Sequence, residues 1–424
     1  MVLTIFQFDE KLSVMIGRPS YRNTWQELSA EKAMVFMAGP RQSGKTTLAQ
    51  MIASEHANRL YFNWDIPTDR IRLIEQPFFF ETLERRDHSK PIVVFDEIHK
   101  YRDWKNYLKG VYDRFHEEFS FLVSGSGRLD IYQKGGDSLA GRYYLFHLWP
   151  FTLAELAGTG RSLSDFRNEP LELLSQTKGE YQEIWKRLEK FSGFPEPYMT
   201  AQAASYLRWS TTFSQQLIKE DIRDLTGIKS LGDLETLYYM LPSKVGSPLS
   251  IPSLSSDLKT AYNTIADWLK TFERFFLAFS LTPWTRNIAR AIQKERKIYL
   301  WDSPRVRDPA ARLENMVALE LYRTVTLWND LGRGSFRLHF IKNKDQQEVD
   351  FLIAEDNRPL ILIEVKLSET QPSAALLKFQ SALQIPAVQL TNRQGGFRLI
   401  SNDDQRVLVA PAWQWIAALP QQKT

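Results

Sequence analysis

The sequence predicts an α/β protein of several domains, built around a parallel sheet covered by helices. Three observations carry this. Short apolar runs at 33–38, 60–64, 92–95, 119–124 and 143–148 alternate with helical patterns, and such alternation reads as a parallel sheet with helices on both faces. A glycine-containing segment, Gly39 to Thr46, lies between the first apolar run and the first helical one. A long helical stretch, 311–328, then precedes strand candidates at 336–341, 348–354 and 360–366. At roughly 150 residues per domain, a chain of 424 residues is expected to form two to four.

Composition narrows the class. The chain is 43% hydrophobic with 12 Trp and 26 Phe, enough for large cores, which excludes general disorder. There is no cysteine. Disulfides, thiolate zinc sites, iron–sulfur clusters and cysteine nucleophiles are thereby excluded, in keeping with a cytoplasmic protein. No apolar run approaches the roughly 18 residues of a membrane span, so no membrane partner is expected. The first 19 residues lack a basic leader and carry Asp9 and Glu10, unlike a signal peptide. The six His are scattered and read as structural. Net charge is only +4, but residues 243–310 hold 11 Lys/Arg against 6 Asp/Glu, a local excess of +5 that suits a polyanion.

The segment Gly39-Pro40-Arg41-Gln42-Ser43-Gly44-Lys45-Thr46-Thr47 contains G-x-x-x-x-G-K-[ST] between a strand and a helix. Glycines let the backbone turn so that its N–H groups cradle phosphates at a helix N-terminus. Lys45 is expected to meet the β- and γ-phosphates of ATP, and the Thr46 hydroxyl to ligate Mg²⁺. The run 92–95 ends in Asp96-Glu97. Asp96 is the expected second holder of Mg²⁺ and Glu97 the group that polarises the attacking water. A further strand ends in Ser124-Gly125-Ser126-Gly127-Arg128, where Ser126 is the candidate sensor of the γ-phosphate. Arg142, in Leu139-Ala140-Gly141-Arg142, is the candidate finger arginine for a neighbour's nucleotide, and Asp65 a candidate supporting group.

These motifs in this order, with Pro150-Phe151 and Glu155, resemble the AAA+-type ATPases that carry a C-terminal domain of unknown function numbered 4143. The resemblance implies an AAA+-like core, a winged-helix segment and a nuclease-like C-terminal fold. It also favours a homo-oligomeric ring, most often a hexamer. The expected division is 1–160 for the ATPase core, 161–240 for a helical subdomain, 241–306 for a winged helix and 307–424 for the nuclease-like domain.

Ser250-Ile251-Pro252 opens a short helix and Thr260 a longer one, 261–276, with an apolar stripe at Ile265, Trp268 or Leu269, Phe272 and Phe276. A short helix, a turn and a longer helix outline a helix-turn-helix. Tyr262, Asn263 and Lys270 remain for a partner. Arg286, Arg290, Lys294, Arg296 and Lys297 form a basic stretch placed where a wing would meet DNA phosphates.

In the C-terminal part, Asp350 is followed fourteen residues later by Glu364-x-Lys366, resembling a PD-(D/E)xK nuclease, though Val349 stands where a proline is usual. Period two places Glu364 and Lys366 on one face of a strand. There Asp350 and Glu364 would share Mg²⁺, Lys366 would orient water, and Glu314 would be the helical acid. The leading expectation is an Mg²⁺-dependent ATPase that remodels or translocates on duplex DNA, forked or branched. An ATP-gated nuclease and a nucleotide-dependent switch binding protein partners are the alternatives.

Overall fold

The computed structural model describes residues 16–125, 139–174, 179–223, 228, 230–285, 296–393, 395–401 and 406–421. The N-terminal sheet is five-stranded and parallel, in the order β2 (Arg59–Asn63), β3 (Ile92–Asp96), β4 (Ser120–Ser124), β1 (Met34–Ala38), β5 (Tyr144–His147). Alternation along the strands divides the side chains between two layers. Val35, Met37, Val94 and Leu122 pack under α1 (Pro19–Glu31) and α2 (Lys45–Ser54). Met34, Phe36, Val93, Phe95 and Phe121 face α3 (Pro67–Glu75), α4 (Trp104–Phe115) and the Phe79–Phe80 pair. Strand β4 lies between β1 and β3, which sets Ser124 beside Asp96 in register.

A helical layer follows: α5 (Leu153–Ala157), α6 (Leu163–Asn168), α7 (Gly179–Phe191), α8 (Pro195–Thr200) and α9 (Ala203–Gln216). Helix α9 runs on into a π-helical turn, Leu217–Ile222. After α10 (Leu231–Met240) come β6 (Pro248–Leu249), α11 (Ile251–Leu258), α12 (Tyr262–Arg274), β7 (Ala278–Leu281) and β8 (Arg296–Leu300), the strands forming one small antiparallel sheet in the order β6-β8-β7. Ser250 caps α11 through Ser253 N–H (3.3 Å). The expected cap of α12 is corrected: Ala261 holds that position, and Thr260 Oγ1 donates to Leu258 O (3.0 Å). Helix α11 ends on a left-handed Lys259 (φ 50°), which leaves Thr260 inside the turn. On α12, Ile265, Trp268, Leu269 and Phe272 are buried.

The C-terminal part opens with the long helix α13 (Pro309–Asp330), capped by Asp308. Strands β9 (Phe336–Lys342), β10 (Glu348–Glu355) and β11 (Arg358–Lys366) form an antiparallel meander. Helix α14 (Ala374–Leu383) crosses to β12 (Ala387–Thr391), parallel to β11; β13 (Arg398–Ser401) and β14 (Arg406–Pro411) complete the sheet, and α15 (Ala412–Ala417) follows. Within the expected 307–424 domain the sequence reading assigns no helix or strand after 366. One apolar cluster runs from Trp149 through the helical layer, the small sheet and α13 to Leu419. The helical, middle and C-terminal parts therefore share a core, whereas the N-terminal sheet has a cluster on each face and the α14 side of the C-terminal sheet has one more.

A buried arginine ties the N-terminal sheet to the shared core. Arg18, left-handed at φ 48° and 4% exposed, donates to Glu155 Oε1 (2.7 Å) and Oε2 (2.9 Å), to Ser43 O (3.0 Å) and to Trp149 O (2.7 Å). Helix α13 grips the same segment from the other side: Arg323 donates to Pro150 O (2.8 Å) and Phe151 O, and Glu320 accepts from Leu153 N–H (3.1 Å). Removing one partner of a buried pair costs about 3–5 kcal/mol because the remaining charge is stranded. Glu155→Ala is therefore expected to lower the first thermal transition by at least about 5 °C, read by circular dichroism; a shift under about 1 °C would contradict the clamp.

Candidate functional site

The phosphate-loop residues gather at the C-terminal end of β1. Gly39 has φ 146°, and a Cβ there would lie 2.3 Å from Leu148 O. No side chain fits at that point, because the backbone leaving β5 lies directly against the loop. Gly44 (φ 95°) is the N-cap of α2, and a Cβ on it would meet Pro195 at 3.8 Å, so α8 stands over the loop. Lys45 is 7% exposed; its Nζ donates to Gly39 O (3.1 Å) and Pro40 O (2.5 Å), which holds the ammonium within the loop.

Asp96 is fully buried, and three hydroxyls donate to its carboxylate. Thr46 Oγ1 (2.7 Å) and Tyr61 OH (2.6 Å) donate to Oδ2, and Ser124 Oγ (2.6 Å) donates to Oδ1. Burial and the Asp96 charge both push the Tyr61 phenol up, so it stays a donor. Hydroxyl and carboxylate oxygens so arranged are hard ligands of the kind Mg²⁺ takes. Thr46 and Asp96 would hold the ion, which would neutralise phosphate charge there. Glu97, the next residue, is left-handed (φ 56°), and its N–H donates to Ser124 O (2.9 Å). Its carboxylate meets Lys100 Nζ at 3.1 Å and His99 Nε2 at 3.6 Å. Lys100 also holds Asp65 (2.6 Å); burial acts to lower its pKa, and the two carboxylates outweigh this.

Two loop side chains reach out of the cradle to the helical layer. Arg41 NH1 pairs with Asp221 Oδ2 of the π-helical turn (3.0 Å), and Gln42 Oε1 accepts from Trp209 Nε1 of α9 (2.5 Å). Burial raises the pKa of Asp221, with Arg41 opposing it, and Lys100 and Glu97 lie within electrostatic reach. The single-residue insertion of a π-turn is frequent at functional sites, and here it carries an acid to the loop's edge. Arg142 lies away from this centre, in a two-point pair with Asp113 (2.6 and 3.1 Å). Ser126 and Arg128 lie outside the described residues.

The C-terminal acids also meet. Lys366 Nζ contacts Glu364 Oε1 (2.6 Å), and Asp350 Oδ2 accepts from Val365 N–H (2.9 Å). Burial first, then the Asp350 charge, pushes up the carboxyls of Glu314 and Glu364. Among them stands Lys297, which the sequence reading assigns to a DNA-contacting wing. That assignment is corrected: Lys297 is 0% exposed, with Nζ 2.6 Å from Glu348 Oε1, 3.1 Å from Glu314 Oε1 and 3.2 Å from Asp350 Oδ1. It faces inward because β8 alternates, and Tyr299 two residues on is a core residue donating to the same Glu314 (2.8 Å). Among the described residues no group of three or more His, Asp or Glu is placed to hold a metal ion.

Of the remaining DNA-contact candidates, Tyr262, Asn263, Lys270 and Arg296 are exposed, with Lys270 beside Asp267 (2.9 Å). Arg286, Arg290 and Lys294 lie outside the described residues.

Comparison with known proteins agrees with this geometry. Residues 31–157 match the profile of an AAA domain, residues 182–304 a domain of unknown function (DUF8612), and residues 311–413 a domain of unknown function (DUF4143). The chain thus contains an AAA domain that carries the phosphate loop and a C-terminal DUF4143 domain. An uncharacterized protein of Methanocaldococcus jannaschii is 24% identical over 404 residues, covering 89% of this chain and 86% of that one. An uncharacterized protein of Mycobacterium tuberculosis is 24% identical over 270 residues, and the match spans 54% of its length and 64% of this chain. Among solved structures, a Walker-type ATPase of Pyrococcus abyssi aligns with 69% of this chain and 95% of its own at 16% identity and a TM-score of 0.43. Among the described residues, no helix of the chain is long and apolar enough to cross a membrane.

Sequence reasoning missed Tyr61, Trp209 and Asp221, none of which carries a local motif, and at the end of β4 it chose Ser126, whereas Ser124 meets Asp96. The geometry ranks the residues around Asp96 by effect. Lys45→Ala is expected to lower ATP turnover at least about 10²-fold. Tyr61→Phe, which leaves the Thr46–Asp96 bond in place, should cost less than about tenfold. Equal losses in a steady-state phosphate-release assay would contradict the ranking.

Proposed function

We propose that the chain is an Mg²⁺-dependent ATPase that couples ATP binding and hydrolysis to the binding and remodelling of duplex DNA, forked or branched. The observation that supports coupling is that Arg41 and Gln42 of the phosphate loop are both held by the segment 203–222, through Asp221 and Trp209. Lys45 and the backbone of Gly39–Thr46 cradle the phosphates, Thr46 and Asp96 hold Mg²⁺, and Glu97 polarises the attacking water after leaving Lys100. An incoming γ-phosphate competes with Asp221 for the Arg41 guanidinium, since phosphate, like carboxylate, pairs with it bidentately. Asp221 is then a half-buried carboxylate without its cation, and the π-turn shifts toward water to solvate it. The movement passes along α9 into the layer that shares its core with the small sheet and its two helices.

The order β6, α11, α12 and the β7–β8 hairpin supports a winged-helix reading of that unit. Its α12 buries one apolar stripe and leaves Tyr262, Asn263 and Lys270 outside, with Arg296 at the start of β8. Phosphate contacts from such residues give affinity without sequence preference. Arg142, paired with Asp113 just before β5, serves a neighbouring copy's nucleotide in a homo-oligomeric ring, the hexamer being the expected form.

The test is ATP turnover with Mg²⁺ across single strand, duplex, fork and four-way junction, with Lys45→Ala as the blank. Stimulation by one DNA shape is expected; flat turnover with every DNA would remove the DNA reading and leave a switch acting on proteins. Lys270→Ala with Arg296→Ala is expected to weaken DNA binding and to lessen the slope of log affinity against log salt by about two. An unchanged slope would place the DNA elsewhere.

A further inference from the structure

The C-terminal sheet brings Glu314, Glu348, Asp350 and Glu364 together, and resemblance to metal-dependent nucleases implies a divalent cation among them. The residues do not fit one. Mg²⁺ needs octahedral oxygen ligands at about 2.0–2.1 Å and keeps several waters. Here several of the oxygens already face a cation or a donor, Glu364 Oε2 being the exception. Lys297 Nζ donates toward Glu348, Glu314 and Asp350 at 2.6, 3.1 and 3.2 Å, three acceptors for the three N–H bonds of an ammonium. Asp350 Oδ2 is occupied by Val365 N–H, Glu314 Oε1 also takes the Tyr299 hydroxyl, and Lys366 holds Glu364 Oε1. Glu314 Oε2 is covered by the turn before β6, where a Cβ on Gly246 would come within 3.0 Å of it.

We infer that Lys297 is the resident cation of this cluster: an ammonium delivered from β8 stands in the divalent-metal position, fastens the small sheet to the C-terminal sheet, and keeps the cluster from taking up metal. The contact crosses from one sheet to another, from Lys297 on β8 to Glu348 and Asp350 on β10, so it is a clasp and not a local pair. Lys297 is 0% exposed and its three acids are mostly covered, so water screens the contact only weakly, and removing the lysine alone would strand several partly buried carboxylates. Glu364 Oε2 is already buried without a hydrogen-bond partner. A divalent ion is the species that would compensate such a cluster once Lys297 is gone. The inference is independent of the ATPase reading, and an inactive phosphate loop would leave it untouched.

The experiment measures Mn²⁺ uptake by the full chain without nucleotide, using the electron paramagnetic resonance signal of free Mn²⁺. Wild type and Asp350→Asn are expected to bind the same amount. Lys297→Met should gain about one further equivalent, and Lys297→Met with Asp350→Asn should lose it. Mn²⁺ bound to wild type in an Asp350-dependent manner would overturn the inference, as would a Lys297→Met chain with native circular dichroism and no added uptake. If Lys297→Met does not fold, amine acetylation of wild type read by mass spectrometry decides. Lys297 should stay unlabelled while Lys270 is labelled, with or without millimolar Mn²⁺. Labelling of Lys297 at the rate of Lys270, or its onset on adding Mn²⁺, would overturn the inference.

Discussion

The fold turns on the guanidinium of Arg18. A buried arginine is tolerable only when its donors are matched, and here Glu155, Ser43 O and Trp149 O match them. Each acceptor belongs to a different piece: the helical layer, the phosphate loop and the backbone leaving the sheet. The loop is therefore fixed from behind, and Gly39 shows how closely, with no room for a Cβ against Leu148 O. Loop, sheet exit and helical layer cannot shift independently without exposing a charge to a medium that does not solvate it.

The same segment is reached from the far end of the chain. Glu320 and Arg323 of α13 bind the backbone of 150–153, and Asp330 accepts from His147 N–H at 2.8 Å. The DUF4143 domain is thus attached to the strand neighbouring β1, while Lys297 attaches it to the small sheet. In front of the loop the links are lighter and more exposed: the Arg41–Asp221 pair and the Gln42–Trp209 bond. A rigid rear and a looser front is the arrangement in which a charge arriving as phosphate moves the front, and the proposed coupling rests on that contrast.

Much of this is written locally in the chain. The loop, the acid-ended β3 and the strand pair around Asp350 and Glu364 were legible because each is a short run whose spacing alone specifies its geometry. Tyr61, Trp209 and Asp221 were not, since they reach the loop and Asp96 only through register and packing over long separations. Lys297 was misread for an instructive reason. In Arg296-Lys297-Ile298-Tyr299-Leu300 the count of basic residues suggests a solvated wing, while period two puts Lys297 on the face of a core tyrosine. The alternation was the better signal. Beyond 366 the apolar runs are short, and nothing in them distinguishes a shared sheet from separate turns.

The central claim is that the nucleotide state of the loop is transmitted to the segment 203–222. Amide hydrogen exchange on the full chain, with and without Mg²⁺ and a non-hydrolysable ATP analogue, tests it most directly. The account expects a change in exchange within 203–222 on nucleotide binding, in addition to protection of 39–47, and expects both to vanish in Lys45→Ala. Protection confined to 39–47, with 203–222 unchanged, would contradict it.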